Sequence, residues 1–211
     1  MQENKSWFSK ARVETFSDSV FGIIITILVF GLKIPQIKNP LDAKELAEAI
    51  LFIIPNFLSW IISFFMVCVV WVNHHRIFET LTHITYKVFW LNAFLLLWCA
   101  LIPFPTALVG EYPLNKFALF MFGLVLSLTG VGFYFLRRLI ISQNLLVDHI
   151  SEEDFKKDNN KSLFFGCVLY LFGASAAYIN PFIAIITFTL IPFYFIFLNV
   201  RAGRFLIKKS I

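Results

Sequence analysis

Along the chain, uncharged apolar runs alternate with short polar stretches, and five of these runs, 49–73, 88–110, 117–136, 162–180 and 181–200, are each about as long as a bilayer-spanning helix requires. A sixth, 19–32, reaches that length only if its helix starts near Phe16 and carries Asp18 in its first turns. The pattern predicts an all-α protein with six spans, at about 14–33, 49–73, 86–110, 116–138, 162–180 and 181–202. The last two runs form one uncharged stretch of about 39 residues, too long for a single crossing, and Asn180-Pro181 at its middle predicts a tight hairpin with proline opening the second helix.

The connections between runs are short. The longest, 137–161, is too small to bury a core of its own and is expected to hold helical extensions and a turn, so residues 1–211 form one domain. After Asn39-Pro40, the segment LDAKELAEAI places Asp42 where a helix start favours negative charge and predicts a short amphipathic helix before the second span. The first run ends at Lys33 and Pro35 rather than at a small-residue cleavage site, so it is expected to stay in the mature protein.

Composition turns this pattern into a class. Of 211 residues, 59% are apolar and only 15% charged, with 27 phenylalanines; the mean hydropathy is +0.78. A soluble domain carries about 45–50% apolar and about 25% charged residues, so a disordered chain, a disulfide scaffold and a soluble enzyme are all excluded. The net charge of +5 then points to loops rather than to nucleic acid. With six spans both termini share one side. Fourteen bases fall there (Lys5, Lys10, Arg12, Arg76, Lys87, Arg137, Arg138, Lys156, Lys157, Lys161, Arg201, Arg204, Lys208, Lys209), against Lys33, Lys38, Lys44 and Lys116 opposite, which predicts cytoplasmic termini. Cys68, Cys99 and Cys167 lie within apolar runs without metal-ligand spacing and read as packing residues.

Asp18 is the charged residue set clearly inside a span, and such groups are costly in lipid. It is either a carboxylate at a helix start paired with a nearby base, or part of a proton relay or ion site. Helix phase bears on the choice: Phe16, Ser19, Ile23, Ile27 and Phe30 form one stripe, and Asp18 lies roughly 140° from Ile23 at about 100° per residue. If that stripe faces a central axis, Asp18 faces its own subunit and acts as an anchor. By itself such a stripe is also what ordinary packing or lipid contact produces. At the same end, the second span closes with Trp71-Val72-Asn73-His74-His75-Arg76-Ile77-Phe78. Adjacent helical histidines diverge by about 100° and suit hydrogen bonding better than a shared metal. A buried His or Asn is expected to pair with Asp18, with Arg12 or Arg76 as counter-charge. Neither a catalytic constellation nor a Thr-Val-Gly-Tyr-Gly filter is present in the sequence, so neither an enzyme nor a bound cofactor or metal is expected.

Three motifs now stand in order: Arg12-x-x-x-Phe16-Ser17-Asp18 opening the first span, Trp71-x-Asn73-His74-His75-Arg76-x-Phe78 ending the second, and Ile102-Pro103-Phe104-Pro105-Thr106-Ala107-Leu108 with Gly110-Glu111-Tyr112 ending the third. Together they resemble the bacterial members of the transmembrane protein 175 family, that of the endosomal and lysosomal potassium channel, and the likeness covers the whole chain. The resemblance implies a multi-pass protein of the bacterial plasma membrane, a homotetramer of six-span subunits whose first helices line a central pore. It implies a constriction of bulky apolar side chains, matched by Ile23, Ile27 and Phe30, with Phe30 where leucine is usual. It implies K⁺ as the permeant ion and the motif residues Arg12, Phe16, Ser17, Asp18, Trp71, Asn73, His74 and His75 as a polar and structural network. The alternatives left by the residues themselves are a proton-coupled carrier using Asp18 and His75, and a cofactor-binding or assembly protein using His74 or His75. On the outer side, Asp42, Glu45 and Glu48 form a loose acidic face, either solvated or a cation-concentrating vestibule.

Overall fold

The computed structural model describes residues 8–148 and 150–209, without the side chains of residues 162 and 198–209; Lys5 and the side chains of Arg201, Arg204, Lys208 and Lys209 therefore lie outside the described set. The fold is all-α. Helix α1 (Lys10–Ile27) tightens into a 3₁₀ turn at Leu28–Gly31. Pro35, which lacks an N–H and restricts Ile34, lies just beyond. Helix α2 (Ala43–Phe52) is capped by Asp42, whose Oδ1 accepts from the amides of Lys44 and Glu45 at 2.9 and 3.1 Å. Helix α3 (Ile54–Glu79) starts with Pro55 in its first turn. The uncharged run 49–73 is thus divided at Ile53, where a proline restarts the helix; hydropathy does not register that break because both sides are apolar.

Helices α4 (Tyr86–Leu101) and α5 (Pro103–Glu111) meet at Ile102, where Pro103 removes one backbone donor. Helix α6 (Lys116–Ser142) is capped by Asn115. It ends at Asn144, whose φ is 51°, with the amides of Asn144 and Leu145 returning to the carbonyls of Ile141 and Ile140, the paired bonds of a Schellman close. This turn fixes Leu145 beneath the α3–α4 loop, where Thr82 donates its amide to the Leu145 carbonyl. Helix α7 (Glu152–Leu163), a π turn (Phe164–Val168) and α8 (Leu169–Ala176) run on without a break. The predicted hairpin follows: Asn180 Oδ1 accepts from the Phe182 amide at 2.9 Å, and Pro181 opens α9 (Pro181–Lys209).

Among the described residues, four stretches are long and apolar enough to cross a membrane: Lys10–Gly31, Ile54–Glu79, Tyr86–Glu111 and Lys116–Ser142. Helix α6 is the central column, packing against α4, α5, α7, α8, α9 and the π turn. At Gly130 it comes so near the π turn that a Cβ would collide with the Gly166 carbonyl. Helix α1 rests on α3 and α4 by one side only. Lysines make contacts at both ends of the bundle. Lys10 Nζ donates to the Leu81 carbonyl at one end. At the other, Lys33 pairs with Glu111 at 2.9 Å and Lys116 Nζ donates to the Tyr178 carbonyl.

Candidate functional site

Helix α1 has two faces. Val13, Ser17, Phe21, Ile24 and Leu28 are buried against the rest of the subunit. Phe16, Ile23, Ile27 and Phe30, the stripe expected from helix phase, point away from it, with Ile23 56% and Phe30 82% exposed. Ile24, one residue on from Ile23, is 2% exposed.

The buried face carries a polar connection across three helices. His74 of α3 donates through Nε2 to Asn92 Oδ1 of α4 at 2.8 Å, since that amide oxygen can only accept. Asn92 Nδ2 donates to Ser17 Oγ at 3.0 Å, and the Ser17 hydroxyl donates to the Val13 carbonyl at 2.9 Å. His74 is sandwiched between Phe78, stacked at 4.3 Å, and the edge of Phe21 at 5.3 Å. Satisfied donors and acceptors in an apolar surround hold α1 at one height on α3 and α4.

This corrects the expected pairing. Ser17, not Asp18, faces the bundle. Asp18 stands about 100° around the helix from Ser17, on an exposed flank, and accepts a 2.8 Å bond from Trp71 Nε1. Trp71 stacks on His75 with ring centroids 5.9 Å apart, and His75 Nε2 lies 3.2 Å from Glu79. The salt bridges among the described residues do not include Asp18; Arg12 is exposed and Asn73 and Arg76 are half-buried. The two histidines therefore serve different partners, as their divergence on the helix requires.

Asn92 was not singled out from the sequence, although a signal exists: it is the one amide side chain in the run 88–110 and shares the spacing of the buried Val88, Leu95, Leu96 and Cys99. The third motif builds a second polar contact nearer the other end. Thr106 Oγ1 lies 2.8 Å from both Ser63 Oγ and the Ile102 carbonyl. A Cβ at Gly110 would meet Ser59 Oγ at 2.8 Å, so glycine lets α5 lie close on α3. The outer acids have separate tasks as well. Asp42 caps α2, Glu45 accepts the amides of Lys38 and Asn39 at 2.8 and 3.1 Å, and Glu48 lies 3.9 Å from Lys44. The two amides hold the Glu45 carboxyl below the ordinary glutamate range.

The family described as "Endosomal/lysosomal potassium channel TMEM175" matches residues 12–103, the part of the chain that holds the α1 network. A Chryseobacterium protein named as a potassium channel is 31% identical over 182 residues, covering 84% of this chain and 87% of that protein. The chain belongs to the TMEM175 family. A crystal structure of a lysosomal potassium-selective channel TMEM175 homolog from Chamaesiphon minutus matches with a TM-score of 0.78 at 28% identity, over 89% of this chain and 96% of that one. A chicken protein named endosomal/lysosomal proton channel TMEM175 is 31% identical over 109 residues, 49% of this chain and 22% of its own length. Membership, together with the four apolar helices, makes the chain a multi-pass membrane protein, and the family is one of channels rather than enzymes.

Proposed function

We propose that this protein is a K⁺-favouring cation channel in the plasma membrane of a bacterium, formed by four copies around an axis lined by α1. The observation that carries the proposal is the division of α1: one face is locked to its own subunit through Ser17, Phe21, Ile24 and Leu28, while bulky apolar side chains on the other are left exposed by the described residues. Each subunit crosses six times, the fifth crossing over 162–180 and the sixth over 181–200, with both termini on the basic, cytoplasmic side. The relatives named as potassium channels support the choice of ion.

Ile23, Ile27 and Phe30 stand at successive depths on the unpartnered face and form the constriction. Rings of such side chains offer no oxygen to replace hydration water, so the pore conducts when wide enough for a partly hydrated ion and closes by steric block or dewetting. K⁺ is favoured because it holds its water less tightly than Na⁺, and the preference is modest. No cofactor takes part. Proton permeation is a second reading, supported by the relatives named as proton channels. A carrier using Asp18 and His75 would require saturable, coupled flux.

Liposomes holding the purified protein under a K⁺ gradient test the proposal: K⁺ flux with ohmic single-channel currents is expected from a tetramer. Absence of flux, under conditions in which an established channel conducts, overturns it.

A further inference from the structure

Away from α1, a cavity of about 360 Å³ lies between α3, α6, α7, the π turn and α9. Its wall runs along α3 from Met66 to Thr80 and along α6 from Leu126 to Arg137, which at about 1.5 Å per residue is roughly 16 to 21 Å of length. The two ends differ in chemistry. At one, Tyr170 is buried and donates its hydroxyl to the Met66 sulfur, a weak acceptor that leaves the oxygen lone pairs unused. The other is lined by Arg76, Arg137, Lys161 and Asp158. Lys161 lies 3.7 Å from Asp158. Arg137 differs: its guanidinium sits 5.4 Å from the centre of the Phe155 ring, and its Nε is buried with no hydrogen-bond partner.

A buried guanidinium donor left unpaired is costly, and its planar fork matches phosphate oxygens. One wall is the π turn, an irregularity often found at functional sites, seated directly on α6 at Gly130. A small soluble anion would use only the basic end and leave the apolar length below it empty. An amphiphile fills both, and basic pockets between membrane helices suit anionic headgroups.

We propose that this cavity binds a phosphate-bearing anionic lipid, its headgroup on Arg137 beside Arg76 and Lys161 and the start of its acyl chains along Leu126, Met66 and Tyr170. The site is independent of the pore reading, because none of its lining residues lies on α1.

Calorimetric titration of the detergent-solubilised full chain with dioctanoyl phosphatidylglycerol tests this, with inorganic phosphate and dioctanoylglycerol as the headgroup-only and chain-only probes. Saturable binding of one lipid per chain is expected. Arg137→Gln weakens it by at least about tenfold, as loss of a charged donor implies, while the exposed neighbour Arg138→Gln leaves it unchanged. Asp158→Asn, which removes the competing acid, tightens it. Equal binding by Arg137→Gln and the parent overturns the proposal. So does phosphate binding as tightly as the lipid, which marks a soluble-anion site, or dioctanoylglycerol binding as tightly, which marks a merely apolar one. Should Arg137→Gln fail to fold, Asp158→Asn decides, and an unchanged affinity there overturns the proposal.

Discussion

Ile23 and Ile24 are neighbours of one type on one helix, yet the first is 56% exposed and the second 2%. Around Ile24 lie Phe21 and Leu28 and, a few residues toward the helix start, the Ser17–Asn92–His74 connection. Around Ile23 lie Phe16, Ile27 and Phe30, similarly apolar and each largely or about half exposed. Apolarity alone therefore does not distinguish the faces. In lipid, tails are as apolar as isoleucine, so what separates a packed face from a free one is shape fit and the few polar groups that must be satisfied. The hydrogen-bonded face is the one the subunit keeps.

The largest test of that contrast is Phe21→Ala, which opens a cavity beside His74 and is expected to cost about 3–5 kcal/mol. Phe30→Ala on the same helix is expected to leave subunit stability unchanged. Unfolding of both variants in detergent checks this, and equal losses would erase the distinction between the faces. Next comes Asn92→Ala, which strands His74 Nε2 and removes the donor to Ser17 Oγ and should cost about 1–3 kcal/mol; Ser17→Ala in that background should add little, because the two share one bond. The exposed flank should matter less: Trp71→Phe or Asp18→Ala removes a single hydrogen bond in a partly solvated setting, about 1 kcal/mol or below. A loss of about 3–5 kcal/mol would instead mark Asp18 as one half of a buried pair.

On the free face the readout is permeation. In the proposed pore, Ile23→Ala and Ile27→Ala each widen a ring and should lower K⁺ over Na⁺ discrimination, seen as a bi-ionic reversal potential moving toward zero; an unchanged potential in both would put the filter elsewhere. The smallest effect belongs to Glu45. Its carboxyl lies below the ordinary range because it is bonded in the folded state. The clamp on Lys38 and Asn39 is therefore complete above the unfolded value of about 4.3 and is lost as pH falls through the lower folded value. Amide exchange at Lys38 and Asn39 should quicken over that acidic window, whereas Glu45→Gln should flatten the pH dependence. The same bonds make neutralising Asp42, Glu45 and Glu48 a poor probe of a cation vestibule, since two of the three hold α2 and the loop before it.

Several features were legible because their cause is local. The hairpin at Asn180-Pro181, the Asp42 cap and the end of α1 before Pro35 each depend on neighbouring residues. The phase of the stripe through Ile23, Ile27 and Phe30 was legible for the same reason. The partner of Asp18 was not. Ser17 and Asp18 differ by one position, and only the angle at which α1 meets α3 and α4 decides that the hydroxyl enters the bundle while the carboxylate turns to Trp71.

The sequence by itself determined that this chain lives in a bilayer and which motifs place it in its family, because both are properties of stretches. Tertiary structure alone decided that Asn92, 75 positions along the chain from Ser17, completes the polar connection. It also decided that Gly130 carries the Gly166 backbone and that Arg137 ends beside a cavity with its Nε unpaired. Those relations join segments distant in sequence, and the free energy that sets them comes from close packing and satisfied hydrogen bonds between helices, which no single stretch encodes.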